Sequence, residues 1–290
     1  MRLLISIANY GDHQLHYLQR TLDNFTGYEY ETSMVIDTTV DVSHVMPGKR
    51  NVAQRMFERS VGPSLPFKHR EYFAKNIANY DLFLYTENDH LIPQHAIDFI
   101  VNESEELEDD EIMGFMRYET ENGVCYLNDL DIATPISKFH AWKKGENIFF
   151  TPHILHSGCY LLTQKQLGHA IDSGGYLTKP HIGPYGMLEQ GASDVYTQCG
   201  FKSKFLPLPV DPVLIHHMPN KYIRMPSALP HFRVDVLSVL SNKRGDMPRL
   251  KPFGPHSTLR RLYKHWRYEL SLLERKVRRR IKNDRQSVEG

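Results

Sequence analysis

The chain contains few cysteines and lacks the sequence features of membrane-spanning, repetitive and disordered proteins. Its three cysteines are odd in number, widely spaced and without the spacing of metal ligands: Cys125, Cys159 and Cys199. We therefore expect free thiols in a reducing, cytoplasmic compartment. The first apolar stretch, 2–8, is too short for a signal peptide and is followed by the polar Asn9, and no later stretch approaches the length of a membrane span. Repeats and low-complexity tracts are also lacking.

Positive charge is concentrated near the end of the chain. The whole sequence has a net charge of +1, but residues 257–284 hold ten Lys and Arg against three Asp and Glu, so the rest is net acidic. Apolar residues recur there at three- and four-residue spacing, which predicts a basic amphipathic helix. Such a helix can bind an anionic membrane surface, or it can pack on the domain or on a second subunit. Nucleic acid is not an expected partner, because no recognition motif accompanies the helix. We expect one globular domain over 1–250 and this tail over 251–290.

An apolar run that stops on two carboxylates is the most informative feature of the chain. Residues 82–85 are apolar on both faces of an extended strand and lead through Thr86 into Glu87 and Asp89. Such a run predicts a buried central strand, and open α/β sheets bind ligands at the carboxyl ends of such strands. Carboxylate oxygens suit Mn²⁺ or Mg²⁺, which proteins hold together with substrate phosphates. The pattern predicts a nucleotide diphosphate bridged to the protein by metal; the competing interpretation is an acidic pair that faces water.

Strands alternate with helical patterns over the first half of the chain. Besides the strand before Glu87, strands are predicted at 3–8, 33–37 and 112–118, and helices at 14–24, 70–78 and 94–106. This alternation implies parallel pairing through right-handed crossovers. We therefore expect an α/β fold of the Rossmann-like kind, with a mostly parallel central sheet flanked by helices, followed by the C-terminal basic helix.

Short motifs follow one another in a definite order between residues 9 and 201. They are Asn9-Tyr10, Asp37 at the end of the second strand, Lys68-His69-Arg70, Thr86-Glu87-Asn88-Asp89, His156-Ser157-Gly158, and Glu189 to Asp194 before Gly200-Phe201. Their order resembles the GT-A-type glycosyltransferases, most like the inverting family 2 branch. The resemblance implies a GT-A fold and metal-dependent sugar transfer from a nucleotide-sugar donor. The family's Asp-x-Asp signature has Glu at its first position here.

The resemblance also implies roles for residues on the donor side. Asn9 and Tyr10 would hold the nucleotide base, and Asp37 would contact base or ribose. Lys68 and Arg70 occupy the place of a basic element near the diphosphate. A cation in a cleft that excludes water stabilises the charge that develops on a leaving diphosphate, which is the chemistry such residues can supply.

The resemblance implies that Asp89, the last acid of the signature, holds the metal directly, with Glu87 as a second ligand. Several GT-A enzymes complete the metal site with a late histidine. Here His216 and His217 end a short apolar run, and imidazole suits Mn²⁺ better than Mg²⁺. The sequence does not choose between the two histidines.

The catalytic base of an inverting transfer must take the proton of the acceptor hydroxyl. Glu189 falls where the family's base usually lies, and Asp194 is the rival. The two are one and a half helical turns apart, so only one can face the acceptor. Glu189 can also be read as a helix N-terminal acid stabilised by the dipole. Lys221 and Arg224 could close over the diphosphate as part of a lid, or could be solvated surface charges.

The sequence thus predicts an enzyme that moves a sugar from a nucleotide-sugar donor to a saccharide or lipid-linked acceptor, at a cytoplasmic membrane surface. One alternative is a nucleotidyltransferase that makes a sugar nucleotide, although the loop 9–12 is not the glycine-rich, basic loop expected after its first strand. The other alternative is a non-catalytic protein that keeps a degenerate form of the fold and binds membranes or partners through its tail. The fold alone cannot decide the donor, acceptor or linkage.

Overall fold

The fold is known from a computed structural model that describes residues 1–46, 48, 51–121, 124–127, 141–144, 147–152, 155–208, 210–222 and 232–233. Its strands are β1 (Arg2–Asn9), β2 (Glu31–Thr38), β3 (Val52–Met56), β4 (Leu82–Glu87), β5 (His90–Leu91), β6 (Ile112–Met113), β7 (Met116–Glu121), β8 (Val124–Leu127), β9 (Ala141–Lys144), β10 (Asn147–Phe150), β11 (Cys159–Thr163), β12 (Lys204–Leu208), β13 (Leu214–His217) and β14 (Phe232–Arg233). Its α-helices are α1 (Leu15–Thr26), α2 (Lys68–Lys75), α3 (Gln94–Ser104), α4 (Gln164–Asp172) and α5 (Met187–Thr197).

The main sheet has the strand order β11-β4-β1-β2-β3. β1 runs parallel to both β2 and β4, β3 runs parallel to β2, and β11 is the antiparallel edge strand. The predicted α/β class, a mostly parallel sheet flanked by helices, is therefore confirmed. The helical tail predicted over 251–290 lies outside the described residues.

Hydrophobic side chains cover both faces of this sheet. Successive strand residues point to opposite faces, so Leu82 and Leu84 of β4 enter one core cluster, whereas Phe83 and Tyr85 enter the other. The first cluster includes the apolar faces of α1 and α3, and the second includes those of α4 and α5. Burial on both sides is what the uninterrupted apolar run of β4 predicts.

The register of the parallel strands places two acidic residues at the same level, on either side of β1. Ala8 near the end of β1 is paired with Asp37 of β2 on one side and with Glu87 of β4 on the other. Both carboxylates therefore lie at the carboxyl edge of the sheet, where the sequence predicted the ligand site.

The stretch 112–118, predicted as one strand, divides into β6 and β7, which belong to different sheets. β6 pairs with β12, and β7 pairs with β13. The change of sheet occurs at Gly114, where a Cβ atom would lie 2.6 Å from Cε of Lys204. A glycine is needed there because the lysine side chain crosses directly against the backbone.

The strand β13 brings the C-terminal part of the described chain back to the carboxyl edge. It runs parallel to β7 and antiparallel to the short β5, with His217 paired to His90. Because β5 begins one residue after Asp89, this pairing carries His217 to the end of β4. Among the helices of the described residues, none combines the length and the apolarity that crossing a membrane requires.

Candidate metal centre

The turn between β4 and β5 holds Asp89 through contacts to three neighbouring elements. The backbone N–H of Asn88 donates to the Ala8 carbonyl at 3.1 Å, and the N–H of Met218 donates to the Asp89 carbonyl at 2.9 Å. The hydroxyl of Thr21 in α1 donates to the Asn88 carbonyl at 3.0 Å. The turn is therefore anchored to β1, α1 and the end of β13, and Asp89 is only 4% exposed.

Three buried side chains, Asp89, His90 and His217, converge beside this turn. Each offers one ligand atom, and these atoms lie within 4.8 Å of one another. Nε2 of His217 is 3.6 Å from Oδ2 of Asp89, and Nε2 of His90 is 3.8 Å from Oδ1 of Asp89. Two imidazoles and a carboxylate at such spacing form a donor set that can hold a divalent metal ion.

Glu119 of β7 orients the ring of His217. Its Oε1 lies 2.6 Å from Nδ1 of His217, and its Oε2 accepts a hydrogen bond of 3.0 Å from the backbone N–H of Tyr222. Burial lowers the pKa of His217, but the carboxylates of Asp89 and Glu119 outweigh burial, so that the pKa is raised overall. A carboxylate behind a histidine is the usual outer partner of a metal-binding imidazole.

Two atoms of the cluster have no hydrogen-bond partner within the described part of the chain. They are Oδ1 of Asp89 and Nε2 of His90, both fully enclosed. Burial lowers the pKa of His90 to about 3, which leaves the ring neutral, the form that binds metal. Buried polar atoms without partners are costly, and a cation between them would satisfy both. The residues present therefore fit a divalent metal ion.

Glu87 lies next to the cluster and faces Gly158, the residue just before β11. A Cβ atom on Gly158 would lie 3.3 Å from the carboxylate of Glu87 and 2.6 Å from Cε1 of His90. Desolvation and the charge of Asp89 raise the pKa of Glu87, and Arg117 of β7 opposes this rise. The backbone at Gly158 thus comes close to both Glu87 and the metal cluster.

Glu189 stands in the first turn of α5 on the same side. Its charge contributes to the raised pKa of Glu87, and its side chain is half-buried. α5 is tied to the segment before Gly158 because Nδ1 of His156 lies 3.1 Å from Oγ of Ser193, which donates in turn to the Glu189 carbonyl at 2.8 Å. The structure therefore places Glu189 near enough to Glu87 for their charges to interact.

Asp194, the rival base, is committed to a different contact. Its carboxylate accepts a 2.9 Å hydrogen bond from Arg70, and both side chains are buried. Arg70 also donates to the carbonyls of Tyr176, Gln190 and Gly191. The pair joins α2 to α5 inside the second core cluster, so neither residue is among the side chains that surround Asp89.

Asn9 and Tyr10 behave differently although they are adjacent. The Asn9 side chain is buried, donates to Oγ1 of Thr38 at 3.0 Å and accepts a 2.6 Å hydrogen bond from Asn88. It therefore braces the turn that carries Asp89. The ring of Tyr10 is 55% exposed, with its hydroxyl 3.3 Å from the Arg59 carbonyl.

Asp37 is buried at the same edge and is paired with Arg55 of β3. The guanidinium donates to both carboxylate oxygens, at 2.6 and 2.7 Å. Burial raises the pKa of Asp37 in spite of this partner. Arg55 also donates to the Lys68 carbonyl at 2.9 Å, and its side chain is partly exposed. Lys68 itself lies over the ring of Phe57, at 5.7 Å.

The two adjacent histidines of β13 point to opposite faces. His217 joins Asp89, whereas the ring of His216 stacks on Tyr118 with centroids 5.0 Å apart. His216 is also 3.5 Å from the hydroxyl of Thr120. Of the two histidines that the sequence left open, the geometry therefore brings His217 to the cluster.

The proposed lid residues are only partly within the described chain. Lys221 is exposed, and its charge helps to lower the pKa of Asp89, against the effect of burial. Arg224 and the basic stretch 257–284 lie outside the described residues.

Sequence reasoning missed three residues of this site: His90, Glu119 and Arg55. His90 directly follows Asp89 in the chain, so its neighbourhood was visible, but a histidine at a strand start gives no metal signal alone. Glu119 acts on a histidine 98 positions away, a distance that no local pattern spans. Arg55 lies on β3, which has no apolar run.

Comparison with known proteins gives little further identification. No family model matches the chain, and no curated protein matches it. Among solved structures, the crystal structure of 4-diphosphocytidyl-2C-methyl-D-erythritol synthase is similar with a TM-score of 0.35 and 15% sequence identity, over 59% of this chain and 78% of that chain. At this level the likeness decides nothing about the reaction.

Proposed function

We propose that the protein is a metal-dependent transferase acting on a nucleotide-sugar donor, and that it is a glycosyltransferase with a saccharide or lipid-linked acceptor. One observation carries this proposal. The cluster of Asp89, His90 and His217 lies at the carboxyl end of β4, and β1 separates this strand from Asp37 of β2. In open α/β sheets this edge is where nucleotides bind, and a carboxylate with two imidazoles can hold a metal ion that also binds the phosphates of a nucleotide.

The carboxyl edge of β1, β2 and β3 offers residues for binding the nucleotide of the donor. Asp37 and Arg55 form a charged pair there, and the partly exposed guanidinium can contact a nucleotide. Tyr10 offers an exposed ring beside the same edge. Asn9 acts from behind by bracing Asn88 and hence Asp89. Asp89 and His217 would hold Mn²⁺ or Mg²⁺, which when bound supplies positive charge beside the leaving diphosphate.

The chemical step assigns one proton transfer to the protein. The acceptor oxygen forms a bond to the anomeric carbon of the donor sugar, the bond from that carbon to the diphosphate breaks, and a nucleoside diphosphate leaves. Glu189 accepts the acceptor's hydroxyl proton. It is half-buried at the start of α5, whereas Asp194 is buried and held by Arg70. This difference favours Glu189 as the base of an inverting transfer.

The second candidate is a nucleotidyltransferase that joins a nucleotide to a sugar phosphate and releases pyrophosphate. It would use the same edge of the α/β sheet and the same metal cluster, which suits the phosphates of a nucleoside triphosphate as well as those of a nucleotide sugar. Against it stands the loop after β1. Gly11 donates to Oγ1 of Thr39 at 2.9 Å, and the Asn9 side chain is used internally. The loop 9–12, Asn-Tyr-Gly-Asp, is also neither basic nor glycine-rich.

The first test is thermal stabilisation of the purified protein by UDP, GDP, CDP and ADP, each with and without Mn²⁺. A ligand at about 100 times its Kd stabilises the native state by about 2.7 kcal/mol, which a melting curve resolves. We expect one nucleotide to raise the melting temperature in the presence of metal. Asp89→Ala should lose this shift and His216→Gln should keep it.

The products then separate the candidate reactions. Incubation with the matching nucleotide sugar should release nucleoside diphosphate, and Glu189→Gln should bind the donor but transfer little. Pyrophosphate released from a nucleoside triphosphate and a sugar phosphate would establish the nucleotidyltransferase instead. If no nucleotide changes the melting temperature, the transferase proposal is contradicted and the non-catalytic interpretation gains.

A further inference from the structure

We propose that Asp89, His90 and His217 form a resident site for a transition-metal ion such as Mn²⁺, Co²⁺ or Zn²⁺, which binds before and without a nucleotide. The inference rests on the proposed function for the use of this metal. It goes beyond the proposed function in two respects: His90 is a third ligand, and the ion is a stable part of the protein. A Mg²⁺ site that depends on substrate phosphates would need neither imidazole.

The neutral ring of His217 has a defined tautomer. Its Nδ1 lies 2.6 Å from the Glu119 carboxylate, which can only accept, so Nδ1 carries hydrogen. In the neutral ring, Nε2 then presents a lone pair toward Oδ2 of Asp89, 3.6 Å away. A metal ion between these two atoms would bind both of them.

The neutral ring of His90 has a defined tautomer as well. The hydroxyl of Thr86 lies 3.1 Å from the Glu87 carbonyl, to which it donates, and 3.2 Å from Nδ1 of His90. With the hydroxyl proton directed to the carbonyl, Nδ1 of His90 donates to Thr86. The lone pair of the neutral ring is then on Nε2, the buried atom without a partner near Oδ1 of Asp89. In their neutral forms, both histidines thus turn an Nε2 lone pair toward the Asp89 carboxylate.

The fold holds the backbone of the metal ligands in place before any substrate binds. His90 and His217 are direct partners in the β5–β13 ladder, and the Thr21 hydroxyl shares its proton between the carbonyls of Asn88 and His90, at 3.0 and 3.1 Å. Gly158 leaves room for the His90 ring, because a Cβ there would lie 2.6 Å from Cε1. The backbone of the site is therefore fixed by contacts that involve no nucleotide. A ligand set that is already assembled binds metal without waiting for the substrate.

The donor set determines the class of metal. Two imidazoles and one carboxylate favour Mn²⁺, Co²⁺ and Zn²⁺, whereas Mg²⁺ prefers oxygen ligands and keeps several waters. Three protein ligands also leave open positions, which the diphosphate oxygens of a nucleotide sugar can occupy. The competing account is a purely structural cluster, in which His217 stays protonated between Asp89 and Glu119.

The test uses the full-length, untagged protein, stripped with EDTA and free of nucleotide. Titration with CoCl₂ should produce visible d–d absorption at one ion per chain, and calorimetry should detect MnCl₂ and ZnCl₂. MgCl₂ should bind at least about tenfold more weakly. His90→Gln and His217→Gln should each lower Co²⁺ affinity, and Glu119→Gln should lower it about 10- to 100-fold. His216→Gln is the matched control, because His216 adjoins His217 but stacks on Tyr118, and it should bind as the wild type does.

Each outcome bears on the inference. Absence of Co²⁺ absorption from the folded wild type would overturn it, as would His90→Gln with wild-type affinity and spectrum. Metal binding that appears only after nucleotide is added would also overturn it while supporting the proposed function. Stoichiometric metal binding by a protein that no nucleotide stabilises would support the resident site and contradict the proposed function. Circular dichroism of each variant identifies any that fails to fold.

Discussion

The close approach of Gly158 to the metal cluster makes Gly158→Ala a sharp test of the site's geometry. Gly158 has φ of +66°, a left-handed conformation, and its missing Cβ would lie 2.6 Å from Cε1 of His90. A side chain there suffers two separate penalties. One is the backbone strain of a left-handed residue, and the other is the collision with a buried ring whose position is fixed by the β5–β13 pairing.

The two penalties can be separated with a matched variant. Gly174 has φ of +76°, and nothing lies within 4 Å of the position that a Cβ atom would take there, so Gly174→Ala adds strain without a collision. Left-handed strain costs about 1–2 kcal/mol. Overpacking of a well-filled interior costs a further 1–3 kcal/mol, roughly. We therefore expect Gly158→Ala to lower the free energy of unfolding by about 2–5 kcal/mol, and Gly174→Ala by the strain term alone.

Urea unfolding of the wild type and both variants measures this difference, provided that the m values agree. Co²⁺ affinity gives a second readout, because displacement of His90 should weaken metal binding in Gly158→Ala only. Equal destabilisation of the two variants would refute the reasoning, since His90 would then not occupy the space beside Gly158.

Two further predictions concern buried charge away from the cluster. Asp194→Ala leaves the buried Arg70 guanidinium without its carboxylate, and urea unfolding should show a loss of about 3–5 kcal/mol in the free energy of unfolding. Asp110→Ala, which removes an exposed ion pair with Lys202, should leave that free energy nearly unchanged. If the two variants behave alike, the buried pair does not anchor α2 to α5. Burial and the charge of Arg70 hold the pKa of His69 in the folded protein well below 6.5. Below pH 6.5 the unfolded chain therefore takes up a proton that the folded protein does not, so the stability that is fully present above pH 6.5 is lost as the pH falls. Between pH 6.5 and 5, stability should therefore fall by about 1.4 kcal/mol per pH unit more steeply in wild type than in His69→Gln, and identical slopes would contradict this.

Local sequence patterns predicted the central strands well. β1, β2 and β4 fall where apolar runs occur, and the carboxylates that end the last two lie at one edge of the sheet. β3 was missed because it is an edge strand with partly exposed residues, including Gln54 and Arg55, and has no apolar run to reveal it. The break at Gly114 was missed because it depends on which partner strands the chain meets.

The sequence by itself determined the α/β class, the burial of β4 and the position of Asp89 at its end, because these follow from hydrophobicity along short stretches. Only the tertiary structure decided that His217 rather than His216 faces Asp89. Strand alternation puts the two side chains on opposite faces of β13, but the pairing of β13 with β5 and β7 determines which of these faces is turned toward Asp89. It likewise buried Asp194 against Arg70, 124 positions away, and placed Glu119 behind His217. Contacts over such separations arise from packing, which leaves no periodic trace in the sequence.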